Sequence, residues 1–191
     1  MISVELESQL RECFGRVVYS HKTHEKCADR LDSRLRQIKI TQILLSAITT
    51  GGLVTVLFGD AEVSRIAAVV SALFSTSLLV LSAYTKDFDP GQMAQEHKTV
   101  ADRLWVVRES YLSLLTDARS GAVEEDDARR RRDELQEDAA TIYESAPRTF
   151  SAGYADAQKA LKVDEDLTFS DQEIDQFLPK HLRRGPGEGD A

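Results

Sequence analysis

The chain has 191 residues, with 24 lysines and arginines against 32 aspartates and glutamates, which gives a net charge of -8. This length excludes a large multi-domain enzyme, and the acidic balance argues against bulk binding to nucleic acid, for which a basic surface is typical. The charges are unevenly placed, because the only charged residues at positions 40–85 are Asp60, Glu62 and Arg65. We therefore expect an apolar region inside a highly charged chain.

The first element in chain order is a predicted amphipathic helix over residues 3–58. Its first half carries a coiled-coil pattern, in which side chains at alternating spacings of four and three form a heptad seam. The seam residues are Leu10, Phe14, Val17, His21, His24, Ala28, Leu31 and Leu35. Ile38 continues this spacing to the edge of the apolar region, so we expect the helix to enter that region without a break.

Two uninterrupted apolar runs follow, at residues 40–59 and 66–85, and neither contains a charged side chain. About 20 helical residues cross the roughly 30 Å hydrocarbon core of a bilayer, so both runs are long enough to span it. We predict transmembrane helices at 38–58 and 66–85, joined by an extracytoplasmic loop at 59–65. The alternative is a buried helical pair in a soluble core, which would need protein cover on every face.

Basic residues predict how the two spans are oriented. Lys39 precedes the first span and Lys86 follows the second, whereas the loop carries a single arginine beside Asp60 and Glu62. Basic residues are enriched on the cytoplasmic side of membrane proteins. Both ends of the chain are therefore predicted to be cytoplasmic.

Small and hydroxylated side chains are frequent in both spans. In the first span, a spacing that permits close approach of helices predicts four packing residues: Ala47, Gly51, Gly52 and Thr55. In the second, three serines lie within about 40° of one another on a helical wheel and are candidate pore-lining residues: Ser71, Ser75 and Ser82. The alternative is ordinary helix packing, with each hydroxyl bonded to its own backbone. Without a charged residue, the spans offer no site for a proton relay or ion-coupled transport.

Downstream, a second heptad pattern from Met93 to Ala118 predicts another long helix that folds alongside the first. Shorter amphipathic patterns follow, including a capping box that begins at Ser170. Acidic residues flank the run Arg129–Arg132 on both sides, which favours a solvated helix face over a site for an anionic lipid or nucleotide. The predicted segments outside the membrane are an N-terminal helix at 1–37, a cytoplasmic helical region at 86–182 and a disordered tail at 183–191.

The spacing of His21, His24 and Cys27 is the nearest approach to a metal-binding motif. One helix turns the third of these residues about 120° away from the first, so the three are poorly placed to share an ion. We expect packed, hydrogen-bonded histidines in the seam; the other option is a pH-sensitive interface, because neighbouring charged histidines repel. No nucleotide-binding loop or catalytic motif is present, so we expect no enzymatic activity, cofactor or metal. A metal-dependent sensor based on His21, His24 and His97 is the weaker alternative.

Three short motifs resemble the SLATT family, the SMODS- and SLOG-associating two-transmembrane effector proteins of bacteria, over about residues 10–182. They are Tyr19-Ser20-His21-Lys22-Thr23-His24, then Phe150, Tyr154, Ala157 and Leu161, and finally Phe169-Ser170-Asp171 ahead of Leu178-Pro179. The layout and the resemblance together predict an all-α membrane protein, built as a two-transmembrane helical hairpin with a cytoplasmic bundle of long heptad helices.

The resemblance implies a membrane effector of bacterial anti-phage or conflict systems, located in the inner membrane, that oligomerises and perforates the membrane when triggered. It also implies a separate partner that produces or senses a nucleotide, or a reverse transcriptase. The partners we expect are therefore the lipid bilayer, further copies of the chain and this separate molecule, without direct binding to nucleic acid. The alternative is a non-enzymatic membrane anchor or scaffold that recruits a cytoplasmic partner.

Overall fold

The computed structural model describes residues 2–183, and this part of the chain contains helices and no strand. The predicted tail at 183–191 lies outside the described residues except for Arg183. The helices are α1 (Val4–Phe58), α2 (Ala61–Asp87), α3 (Pro90–Ser120), α4 (Glu125–Glu144), α5 (Ser151–Lys162) and α6 (Asp171–Phe177), followed by a 3-10 turn at Lys180–Leu182. The predicted all-α class is confirmed.

Helix α1 is a single element of 55 residues that passes from the charged region into the apolar region. At 1.5 Å per residue it is roughly 80 Å long. Its first turn is held by α4, because the Ser3 backbone N–H and hydroxyl both donate to the Glu125 carboxylate at 3.0 Å. The prediction of one unbroken helix is confirmed, and its two ends are joined rigidly.

Helices α2 and α3 lie end to end along α1 and run antiparallel to it. The close approach of Gly52 to Ser71 and the contact between His24 and His97 show the direction, because numbers fall along α1 as they rise along the other two helices. The break between α2 and α3 is made by Asp89. Its carboxylate accepts hydrogen bonds from the first free N–H groups of α3, ahead of a proline at the first helical position.

The core is the predicted heptad seam, packed against α3. Six of its eight residues are buried, and Phe14 and Leu35 are half-buried. The side chains of α3 that face the seam include Val100, Leu104, Val107, Tyr111 and Leu114. Helix α4 closes this core with Ala128, Ala139 and Ile142. Both heptad patterns therefore mark buried faces, as the spacing predicts.

Arg129, Arg130 and Arg131 lie on the outer surface of α4, whereas Arg132 is half-buried and its guanidinium donates to the Gln9 side chain of α1 at 2.6 Å. Each of the four has an acidic neighbour. Arg129 pairs with Glu125, Arg130 with Asp127, Arg131 with Glu134 and Arg132 with Asp133. Exposed pairs of this kind contribute little to stability. Their local pairing agrees with the interpretation as a solvated helix face.

Helix α5 packs on α1 in the stretch between Tyr19 and Arg30. The Arg30 guanidinium binds the Asp156 carboxylate and holds the pKa of that carboxyl below its usual range. Gly153 lies directly over Cys27, whose thiol is fully buried and has its pKa raised by that burial. A glycine is required here because the two helix backbones approach closely.

Replacing Gly153 by alanine is expected to weaken the docking of α5 on α1. A Cβ atom at this position would lie 2.4 Å from Cys27 Sγ and within 3.5 Å of the Cys27 backbone, so the helices must move apart. We expect a loss of about 1–3 kcal/mol in the free energy of unfolding. The matched control is Gly15→Ala, where a Cβ meets nothing within 4 Å. Chemical denaturation of both variants in detergent measures the difference, and equal stability would contradict it.

Candidate functional site: the apolar helix pair and the histidine cluster

We define the apolar helix pair as residues 40–58 of α1 and 66–85 of α2. Both helices are long and apolar enough to cross a membrane, and the most apolar stretch of each is 0% and 6% buried. The large exposed side chains include Ile43, Leu44, Leu53, Val54, Leu57, Ile66, Val69, Leu73, Leu79 and Val80. A contiguous apolar surface of this extent is unfavourable in water and favourable in lipid. The alternative of a buried pair in a soluble core lacks the necessary protein cover in the described part of the chain.

The contact between the two apolar helices continues the heptad seam of α1. Gln42, Leu45, Thr49, Gly52 and Val56 are half-buried at spacings of three and four. They face Ser64, Ala67, Ser71, Phe74, Leu78, Leu81 and Thr85 of α2. The seam predicted from the sequence extends only as far as Ile38, and it therefore does not include these contact residues. The same spacing carried further along the sequence identifies them.

Gly52 marks the closest approach within the apolar helix pair. A Cβ atom at Gly52 would lie 2.0 Å from the Ser71 hydroxyl oxygen, and Ser71 is the one buried residue of α2. Of the four predicted packing residues, Gly52 alone is half-buried in the pair. Ala47, Gly51 and Thr55 are exposed, and a Cβ at Gly51 meets nothing within 4 Å. Packing between copies of the chain stays a prediction for these three residues.

The three predicted pore-lining serines occupy different environments in the described chain. Ser71 is enclosed between the two helices, and its hydroxyl has no hydrogen-bond partner among the described residues. Ser75 and Ser82 are exposed, and the Ser82 hydroxyl accepts a hydrogen bond from the Gln42 amide at 3.4 Å. A pore-lining role therefore remains a prediction, and of the three serines only Ser75 and Ser82 are exposed in the single chain.

Most other hydroxyls of the apolar pair bond to their own helix backbone. Each donates to the carbonyl four residues earlier, at 2.8–3.1 Å: Thr49, Thr50, Thr55, Thr76, Ser77 and Thr85. This is the usual way in which hydroxyls are accommodated in apolar surroundings. Bonding to the backbone, which is the alternative for the three serines of the second span, is thus found at these six other residues.

The histidine cluster consists of His21, His24 and His97, all buried between α1 and α3. The two Nδ1 atoms of His24 and His97 are 2.9 Å apart, so one ring donates a proton to the other. The Nδ1 of His21 donates to the carbonyl of Ala101 at 3.0 Å. Sequence predicts both heptad patterns but leaves this pairing between them undetermined. The expectation of packed, hydrogen-bonded histidines is confirmed.

The surroundings of the cluster disfavour the charged forms of His24 and His97. Burial lowers the pKa of His24 to about 4, with His97 and His21 as smaller contributions, and burial also lowers the pKa of His97. Aromatic rings lie beside the cluster: the ring centroids of Trp105 and His21 are 5.4 Å apart, and those of Phe150 and His97 are 6.3 Å apart. At neutral pH the pair His24–His97 is therefore a neutral polar contact that depends on its hydrogen bond.

The residues of the possible metal motif face different neighbours. His21 bonds to a backbone carbonyl, His24 bonds to His97, and Cys27 packs under Gly153. Among the described residues, no group of three or more histidine, cysteine or acidic side chains is arranged to hold a metal ion. The three side chains thus make separate contacts within the helix bundle.

Arg108 is a buried charged residue that the sequence patterns do not single out. Its guanidinium lies over the Trp105 ring at 4.5 Å and near the Glu109 carboxylate at 3.3 Å. A cation over an indole face is an attractive contact, and it is stronger where water is excluded. Arg108 lies four positions after Leu104, which is on the seam face of α3, and this spacing is the sequence signal that predicts its burial.

The fold defines a class: an all-helical, membrane-associated protein in which two long apolar helices extend from a helical bundle with a polar core. The chain belongs to the SMODS and SLOG-associating 2TM effector domain family 4, SLATT_4, whose model matches residues 6–173. No curated protein and no solved structure shows significant similarity to the chain. The family resemblance seen in the sequence is thereby confirmed, and the protein carries a two-transmembrane effector domain.

Proposed function

We propose that the protein is a membrane effector that oligomerises and perforates or depolarises the bacterial inner membrane when a separate sensor or nucleotide signal triggers it. The observation that carries the proposal is the continuity of α1. One helix contributes both to the buried histidine cluster and to the apolar helix pair. A change in packing around the bundle is therefore transmitted to the apolar helices without an intervening joint in α1.

In this proposal the apolar pair is a transmembrane hairpin, and both ends of the chain are cytoplasmic. Two observations support this topology. The helices run antiparallel over their whole apolar length, as the Gly52–Ser71 and Gln42–Ser82 contacts show. Lys39 and Lys86 flank one end of the pair, whereas the connection at the other end carries acidic residues. This charge asymmetry is typical of a hairpin with its open end in the cytoplasm.

Oligomerisation is part of the proposal because two helices cannot enclose a pore. The contact inside the chain uses the Gly52 side of α1 and leaves Ala47, Gly51 and Thr55 on an outer face. Small residues on an outer face let a helix of another copy approach closely. Ser75 and Ser82 are then available to line a water-filled space between copies.

Replacing both Ser75 and Ser82 by leucine is expected to reduce leakage from dye-loaded liposomes that contain the triggered protein. Each hydroxyl in contact with pore water contributes about 1 kcal/mol, so the loss of both is about 2 kcal/mol and we expect a decrease of roughly 30-fold in leakage rate. The matched control is Ser77→Leu, because the Ser77 hydroxyl is exposed on the same helix but bonds to the Leu73 carbonyl. We expect this control to leak like the unmodified protein.

Two results would contradict the proposal. Equal leakage by the unmodified protein, the double variant and the Ser77→Leu control would show that Ser75 and Ser82 do not line the pore. Absence of leakage from an inserted, folded protein in every oligomeric state, with and without its genomic partner, would remove the pore. The remaining function would then be that of a membrane anchor or scaffold.

A further inference from the structure

We propose that the protein binds the headgroup of an anionic phospholipid where the polar bundle meets the apolar helix pair. The site is a shallow groove on α1 lined by Lys39, Gln42, Ile43 and Ser46, with a volume of about 380 Å³. The proposal rests on the membrane placement in the proposed function, because it puts Lys39 at the cytoplasmic edge of the bilayer. It does not depend on pore formation.

The groove has the polarity profile of a phospholipid. Lys39 supplies a cation at its outer end, Gln42 supplies an amide, and Ile43 supplies an apolar wall that is 67% exposed. Ser46 lies seven positions beyond Lys39, or about 10 Å deeper along the helix axis. A phosphate beside Lys39 therefore leaves the glycerol esters near the amide and hydroxyl, with an acyl chain along Ile43. No carboxylate lines the groove.

The charge around the groove is uncompensated. In the described structure, Arg36, Lys39 and Lys86 are exposed and have no ion pair, and Asp87 is the nearest carboxylate in sequence. Four basic residues elsewhere on α1 have acidic partners, namely Arg11 with Glu7, Lys22 with Glu25 and Asp166, Lys26 with Asp29, and Arg30 with Asp156, whereas Arg16 bonds the Cys13 sulfur. Three unpaired cations therefore lie together at the predicted membrane boundary.

Helix pairing brings these cations to one level. The Gln42–Ser82 hydrogen bond aligns the two antiparallel helices, which places Lys39 within about one turn of Lys86. Arg34 is held nearby by a hydrogen bond to the Tyr84 hydroxyl at 3.0 Å, with its guanidinium 5.9 Å from the rings of both Tyr84 and Phe88. Aromatic rings and cations at such a level are typical of a membrane interface.

A lipid explains the groove better than a free phosphate or a nucleotide. The wall continues from Ile43 into the exposed apolar face of α1, and a soluble anion would gain nothing from that surface. Each lysine or arginine near a membrane surface raises the affinity for anionic lipid about fivefold. The combination of free cations and a bare apolar wall favours phosphatidylglycerol-type lipids over zwitterionic ones.

Native mass spectrometry of the detergent-solubilised full chain tests the site, with phosphatidylglycerol and phosphatidylcholine supplied in equal amounts. We expect preferential retention of phosphatidylglycerol. The double variant Lys39→Gln with Lys86→Gln is expected to bind it roughly 30-fold more weakly. The matched control is Arg103→Gln with Arg119→Gln, which removes two exposed, unpaired cations of α3 far from the apolar helices. Its retention should not change.

Two further measurements separate the lipid site from simple charge attraction. Ile43→Gln keeps every charge and should still weaken phosphatidylglycerol retention, whereas excess inorganic phosphate should not displace the lipid. Equal retention of the two lipids, equal losses in both double variants, or displacement by phosphate would overturn the proposal. A protein that retains the lipid but never leaks would keep this site and refute the pore, so the two proposals fail separately.

Discussion

Replacing Gly52 by valine is expected to separate the apolar helices of one chain and abolish leakage, whereas Gly51→Val leaves the contact between these two helices unchanged. The first Cβ atom at Gly52 would lie 2.0 Å from the Ser71 hydroxyl, with Ser71 Cβ at 3.4 Å and the Ala67 carbonyl at 3.5 Å behind it. Rotation of the serine relieves the first contact, but the two additional valine methyl groups meet the other atoms. Gly51 faces open space, and it provides the neighbouring control with the same change of side chain.

The expected loss for Gly52→Val is about 1–3 kcal/mol in the free energy of unfolding in detergent. Circular dichroism during chemical denaturation measures this loss, and liposome leakage measures its functional consequence. The smaller change Gly52→Ala should be largely rescued by Ser71→Ala, because removal of the hydroxyl leaves the two Cβ atoms at an ordinary distance. Equal losses of folding stability at Gly51 and Gly52, or the absence of rescue, would show that this close approach is not what joins the helices.

Acidification is expected to destabilise the bundle between about pH 7 and pH 5 through the histidine cluster. Burial lowers the pKa of His24 to about 4 in the folded protein, whereas an unfolded histidine titrates near 6.5. The unfolded state therefore binds more protons in this window, and folding stability falls as the pH falls. The full contribution is present above pH 6.5, and about 2 kcal/mol of it is lost near pH 5.

The groups around His24 support this sign. His97 and His21 face it from α3 and α1, and both disfavour a second positive charge. Glu25 lies 3.7 Å from the outer nitrogen of His21 rather than beside His24. The pKa values of Asp156 and Asp166 are held below their usual range by Arg30 and Lys22, so these carboxylates lose their contribution only at lower pH.

The double variant His24→Leu with His97→Leu is the decisive comparison for the acid response. Replacing both members removes the pair without leaving one ring unpaired, so the slope of stability against pH should flatten between pH 7 and pH 5. His181→Gln is the control, because that histidine is exposed and outside the bundle core. Unfolding midpoints of the three proteins across the window give the slopes. An unchanged slope in the double variant would assign the acid response to other groups.

The sequence predicts the helices of this fold well because its periodic patterns are strong. The seam from Leu10 to Leu35, the end of α3 at Gly121 and the capping box at Ser170 all depend on local spacing or on one turn of backbone. Local rules of this kind need no knowledge of partners. They accordingly predict which face of each helix is buried.

The partner of each face is harder to predict, because it depends on register between distant segments. Gly51 and Gly52 satisfy the same small-residue pattern, but they point about 100° apart, and only continuation of the heptad separates them. The pairing of His24 with His97 depends on the break at Asp89, which sets how α3 lies along α1. The docking of α5 through Gly153 and Cys27 joins residues 126 positions apart and has no periodic signal.

The two sides of the long antiparallel rod differ mechanically. On one side α1 is continuous, and on the other the chain is interrupted at Phe88 and Asp89, where the backbone leaves the helical conformation. A twist applied to the bundle is resisted by continuous helix on the α1 side and is taken up at two non-helical residues on the other. The apolar helices would thus rotate together about the axis of α1. The break at Phe88 and Asp89 would let α2 turn with α1 while α3 stays in the bundle.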